Sequence, residues 1–149
     1  MKLVLFVCSQ SNSIDLRSNQ VSIFNILDNV NAPSFPIVLD KISVLAIFSD
    51  DITSGEYNIL MDIVLNDEVL ASGPIVVKFG GHTVTRTFTE IGGLILKAPG
   101  DLKFSLKYEG NEIGEWRIKV QDFSSTVVQA TGSDDAKENA PVTKRRRRT

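Results

Sequence analysis

Five consecutive cations, Lys144, Arg145, Arg146, Arg147 and Arg148, form the densest cluster of chemistry-bearing side chains in the chain. A block of this kind holds phosphates by displacing their counterions and reads no base sequence. It is the candidate contact for nucleic acid or an acidic partner. A solvated chain end is the plainer reading, and an import address is a third. Of the 16 Lys/Arg and 18 Asp/Glu, six and four lie from Gln121 onward, which leaves 10 and 14 on residues 1–120, a net of −4. An acidic body binds polyanions poorly, so any affinity for nucleic acid resides in the basic end.

Elsewhere the catalytic side chains are sparse. The single histidine, His82, follows Gly80-Gly81 in "FGGHT". A general base must be held between a nucleophile and a carboxylate, and a glycine-rich turn holds it badly. No serine sits in a G-x-S-x-G elbow, and neither phosphate-loop pattern occurs. One His and one Cys cannot furnish the three or four protein ligands of a zinc site. The acids of "SDDITSGE", Asp50, Asp51 and Glu56, with Asp15, Asp40 or Asp101 at the same end, are the candidate ligands for a hard cation, but such residues more often solvate turns. The expectation is a non-enzyme with no catalytic residue, metal or cofactor.

Cys8 lies in the apolar run "LVLFVC" and reads as a buried structural thiol, which suits a reducing, cytoplasmic compartment. That run is shorter than a secretory signal core and no stretch approaches the length of a membrane span, so neither export nor a membrane partner is expected.

The elements that would carry these residues alternate with a period of two. Leu102, Phe104, Leu106 and Tyr108 interleave with Lys103, Ser105 and Lys107, and Tyr57, Ile59, Met61, Ile63 and Leu65 form another apolar line. Thr83, Thr85, Thr87 and Thr89 form a polar face, with Val84 and Phe88 opposite as core. "KLVLFVC", "QVSIFNIL" and "KISVLAIF", apolar on both faces, belong near the middle of sheets. Phe24, Phe48, Phe88, Phe104 and Trp116 are assigned to the core. The pattern predicts an all-β fold, a single antiparallel β-sandwich of about seven to nine strands over residues 1–121, followed by a disordered tail over 122–149.

Turn chemistry sharpens this. Gly80-Gly81 reads as a two-residue hairpin loop pairing Phe79 with His82 and Val77 with Val84. A three-residue loop Glu109–Asn111 places Phe104 opposite Trp116 and Leu102 opposite Ile118, because register follows burial. The same logic at "LNDEV" places Leu65 opposite Val69. "NAPSFPIVL" reads as an extended crossover with Phe35 closing the end of the core. Gly92-Gly93 marks a bulge or turn, and Ser11–Asn19 leaves room for a helical turn.

Cys8, Ser22–Leu27, Ala32-Pro33-Ser34-Phe35-Pro36, Gly55-Glu56-Tyr57 and Pro99-Gly100-Asp101 together resemble the pattern of a family of small uncharacterised bacterial β-sandwich proteins known as a domain of unknown function. The resemblance runs from Lys2 to about Val120. It departs at Ser9, where an acidic residue often follows the cysteine, and at Ser22 or Ile23, where a glycine is usual. It implies the sandwich and supplies no substrate or catalytic residue. The function expected is that of an accessory or adaptor protein binding another, unidentified protein through loops or a sheet edge. The alternative is a nucleic-acid-associated protein using the basic arm.

Overall fold

Alternating apolar residues with β-branched and aromatic neighbours favour half-buried strands, and strands account for nearly all of the regular structure. The structure, a computed structural model, describes residues 1–123. Its strands are β1 (Lys2–Ile14), β2 (Val21–Ile26), β3 (Asn29–Ala32), β4 (Ile37–Ser49), β5 (Glu56–Leu65), β6 (Glu68–Lys78), β7 (Val84–Leu96), β8 (Gly100–Tyr108) and β9 (Asn111–Asp122). They form a four-stranded sheet, β2-β1-β4-β7, and a five-stranded sheet, β3-β9-β8-β5-β6. All pairs are antiparallel except β3 with β9, which run parallel. The expected β-sandwich is present, with β9 ending one residue beyond the expected boundary at 121. Residues 124–149, and with them the expected tail and Lys144–Arg148, lie outside the described residues.

The core lies between the sheets. Phe6, Cys8, Val44, Ala46 and Phe48 from the smaller sheet meet Ile59, Met61, Ile63, Leu102, Phe104, Leu106 and Ile118 from the larger. Burying each large side chain contributes roughly 1.5–3 kcal/mol. Phe35 packs against this core from the crossover, as expected.

Several local expectations need correction. Gly80-Gly81 is no hairpin loop, because β6 and β7 belong to different sheets. The two glycines adopt positive φ (58° and 91°) in an arch that carries the chain across the sandwich. Buried Phe79 and the twelve-residue pairing of β7 with β4 decide the connection. At "LNDEV", Asn66 and Asp67 form a two-residue turn, Leu65 faces Glu68, and a bulge at Ile63/Val64 lets Leu70 turn inward. Near "YEGNE" the registers Phe104–Trp116 and Leu102–Ile118 hold, but the loop has two residues, Glu109-Gly110, and a bulge at Leu106/Lys107 absorbs the extra one. Burial sets both registers and the bulges reconcile them with the tighter turns.

β1 and β4 are interior strands, but "QVSIFNIL" supplies β2, an edge strand. The β7 faces are inverted from expectation. Phe88 pairs with outward-facing Leu45, whereas Thr85, Thr87 and Thr89 sit opposite core residues Phe48, Ala46 and Val44. Thr85 Oγ1 donates to the Lys78 carbonyl at the end of β6 at 2.8 Å, in keeping with that inward side. Gly93, at φ 68°, kinks β7 without breaking its register. On both strands the core-facing parity changes there, from Ile42 to Leu39 on β4 and from Ile91 to Leu94 on β7. The segment Leu16–Ser18 forms one turn, not a helix.

Candidate functional site

The β1–β2 hairpin does something unusual with the outer face of the four-stranded sheet. β1 pairs with β4 only as far as Ser9–Ser43, and beyond that it pairs with β2 alone. The hairpin tip nevertheless reaches β7: the Arg86 guanidinium donates to the Asn19 carbonyl at 2.9 Å. Arg86 sits level with Ile47 and Leu5. Continued in the plane of the sheet, a tip beyond Ile14 would be displaced from that level by about 30 Å, at roughly 3.3 Å per residue. The hairpin must double back over the outer face. Ser9, where it turns, donates to the Asn12 side chain (2.9 Å) and lies within reach of the Ser43 carbonyl (3.4 Å).

That fold-back explains two residues. Val7 and Leu45 point away from the main core, yet they are only 3% and 1% exposed. The hairpin is their cover. Its own edge strand, β2, leaves Phe24 and Ile26 50% and 53% exposed, on either side of Asn25, whose positive φ of 54° interrupts the strand's alternation. With Phe88 at 38%, two of the five aromatic residues assigned to the core are solvent-facing, whereas Phe48 and Phe104 are buried and Trp116 packs on the core edge. Trp116 Nε1 donates to the Leu27 carbonyl at 2.6 Å, anchoring the chain where it leaves β2.

A second consequence is an opening beside β4. Residues 37–42 pair with β7 on one side and with no strand on the other, because β1 has left. An open cleft of about 460 Å³ lies there, lined by Leu27, Val30, Leu39 and Ile42 with Gln10 and Asp40 at its rim.

The residues with ordinary chemical promise are engaged separately. Asp50 accepts hydrogen bonds from the Tyr57 hydroxyl and the Ile52 amide (3.2 Å) and pairs with the Met1 ammonium at 3.0 Å. The Tyr57 bond, then the ammonium, hold its carboxyl down at about 2. Glu56 pairs with Lys78, Asp101 with Lys119, and Asp15 caps the Leu16–Ser18 turn. Asp51 is exposed, and Asp40 lies at the cleft. The suggested cation ligands do not converge, and no group of three or more potential metal ligands occurs among the described residues. His82 is exposed on its turn.

One polar cluster escaped the sequence reading. On the outer face of the larger sheet, buried Asp62 accepts from Ser72 Oγ at 2.5 Å and from Lys107 Nζ at 2.7 Å. Serine and lysine side by side suggest a nucleophile and its base. The geometry opposes that, since both bond to the carboxylate, and Asp62 raises the Lys107 pKa when a base needs a neutral amine. The cluster ties β5, β6 and β8 together.

A family model described as a family of unknown function, DUF6941, matches residues 3–121. The chain belongs to that family. No curated protein matches it at a significant level. The DUF6941 match covers both sheets and stops one residue before β9 ends. Within this member, the short motifs quoted above have packing roles. Tyr57 lies over Gly55, leaving no room there for a Cβ, and Asn66 occupies the space beside Gly100. Cys8 is fully buried and burial pushes its thiol pKa far up. The Phe35–Pro36 bond is cis. These DUF6941 motif residues build the sandwich, and the exposed hairpin carries the features that packing leaves over. No helix among the described residues is long and apolar enough to cross a membrane.

Proposed function

We propose that this protein is a non-enzymatic accessory or adaptor protein that binds another protein along the β2 edge of the hairpin. The observation that carries this is the pair Phe24 and Ile26, half exposed on a strand whose outer edge is unpaired. Natural edge strands are usually blunted by charge, proline or cover, because free N–H and C=O groups recruit other strands. β2, "VSIFNI", has no charge and no proline. Main-chain pairing along such an edge gives affinity, and alternate side chains give selectivity. A bacterial, cytoplasmic setting accompanies this reading and is in keeping with the free thiol at Cys8.

The test is affinity capture from native cytosol with nuclease present, comparing the wild-type chain with Phe24→Ser/Ile26→Ser. A partner retained by wild type and lost from the double variant supports the β2 edge. Partners that depend on nucleic acid and on Lys144–Arg148 would replace this reading with the basic-arm alternative.

A further inference from the structure

β7 forms the edge of the four-stranded sheet opposite β2. The edges of the larger sheet are blunted, because β3 has only four residues and β6 carries Pro74. β7 has 13 residues and no proline, and among the described residues no strand lies beyond it. What it carries instead is a pair of opposite charges, Arg86 and Glu90, each two residues from Phe88. All three lie on the outer face, in the row that pairs with Ile47, Leu45 and Ser43 of β4. Phe88, large and apolar, is left part-exposed between them.

The straight part of the strand is centred on the same residue. β7 begins at Val84, and the positive φ of Gly93 kinks it just after Gly92. Phe88 is the midpoint of residues 84–92. A strand that pairs with its own copy about a two-fold axis sets residue i against j and j against i. With the axis at Phe88, Arg86 meets the second copy's Glu90, Glu90 meets its Arg86, and Thr87 meets Thr89 on the inner side. Such cross-strand pairs attract, whereas like charges face to face repel. An axis one residue away, at Thr87 or Thr89, would set both charges against uncharged residues. The existing bonds of Arg86 to Asn19 and of Glu90 to Lys41 survive, since the guanidinium has further N–H groups and the carboxylate a second oxygen.

We propose that the β7 edge is a dimer interface, in which β7 pairs antiparallel with β7 of a second copy of this chain about Phe88. Two four-stranded sheets then become one of eight strands with β2 at either end, so the proposal does not depend on what β2 binds.

The experiment is sedimentation equilibrium of the full chain, comparing wild type with Glu90→Arg, Arg86→Glu and an equimolar mixture of the two variants. Each variant sets like charges face to face in its own dimer, and the mixed dimer restores opposite ones. Each alone should dimerise about tenfold more weakly than wild type, and the mixture should recover most of that loss. Exchange of the β5 and β8 amides, in the other sheet, checks folding. A wild type that stays monomeric at its highest soluble concentration overturns the proposal. So do variants that dimerise as well as wild type, or a mixture no tighter than its components. A second readout is Phe88→Cys under mild oxidation. An axis at residue 88 brings the two Cα atoms to about 4.5–5.5 Å, within disulfide reach, while buried Cys8 stays out of the reaction. Dimers cross-linked through residue 88 support the interface, and their absence refutes it.

Discussion

The Arg86 guanidinium holds the Asn19 carbonyl at 2.9 Å, and this contact pins the tip of the β1–β2 hairpin onto the outer face of the sheet, to which strand pairing joins it only at its base. A hydrogen bond from a charged donor contributes about 1.5–3 kcal/mol when sheltered and less at a surface. Arg86→Ala is expected to release the hairpin locally. Exchange at Gln10–Ile26 should rise several-fold, with the melting temperature little changed. Unchanged exchange there would show that apolar cover over Val7 and Leu45 alone holds the flap.

Asn66 clamps the turn before β8 from the opposite side of the strand pair. Its Nδ2 donates to the Pro99 carbonyl at 2.9 Å and its Oδ1 accepts from the Asp101 amide at 3.2 Å. The amide fills the space where a Cβ on Gly100 would stand, and Gly100 has φ 151°. Gly100→Ala should destabilise by about 2–3 kcal/mol through strain and lost clamping. Asn66→Gly, which keeps the positive φ of 47° free of strain, should cost less, about 1 kcal/mol, chiefly the lost bonds. Urea titration separates them, and Gly100→Ala no worse than Asn66→Gly contradicts the steric argument.

These residues also mark how far the sequence could be read. The period-two runs of β5 and β8 declared their faces because every inward residue is apolar and every β8 outward residue is polar. β7 misled because its inward row is threonine, a residue as ready to face water as to face a neighbouring strand, and Thr85 there bonds the Lys78 carbonyl. Phe24 and Phe88 misled for a related reason: composition says aromatic residues are buried, and only the fold-back of the hairpin shows which side they lie on. The arch at Gly80-Gly81 was illegible because positive φ suits a turn within a sheet and a turn between sheets equally well. The cleft beside β4 depends on where β1 stops pairing, which no local pattern encodes. Cys8 was readable, since its flanking run left it nowhere but the core.

For that thiol the expected behaviour is inertness. Burial raises its pKa, so little reactive thiolate exists at neutral pH. A disulfide reagent should label native protein only as fast as the core opens, orders of magnitude slower than in urea. Cys8→Ser places a hydroxyl in the same apolar site and should destabilise by about 1–3 kcal/mol. Rapid labelling of native protein would mean that β1 opens readily, and the hairpin with it.

Asp50 and Tyr57 make stability depend on pH at both extremes. The Tyr57 hydroxyl, followed by the Met1 ammonium and the Ile52 amide, lowers the Asp50 carboxyl to about 2 in the folded chain. An unfolded aspartate titrates near 3.9. The unfolded state therefore binds a proton first as pH falls, and the Asp50 contribution, complete above about pH 4, drains away down to about pH 2. Tyr57 moves the other way. Its bond to Asp50 raises its pKa to about 12, so its contribution is complete below about pH 10, the unfolded value, and is lost as pH climbs toward 12. Asp50→Asn should flatten both limbs, while Tyr57→Phe should abolish the alkaline limb and weaken the acid one, because the ammonium and the Ile52 amide remain. Melting temperatures across pH 2–12 discriminate these outcomes. An Asp50→Asn protein with the wild-type acid slope would place the titrating carboxylate elsewhere, with Asp62 the first to test because its contact with Lys107 lowers its pKa too.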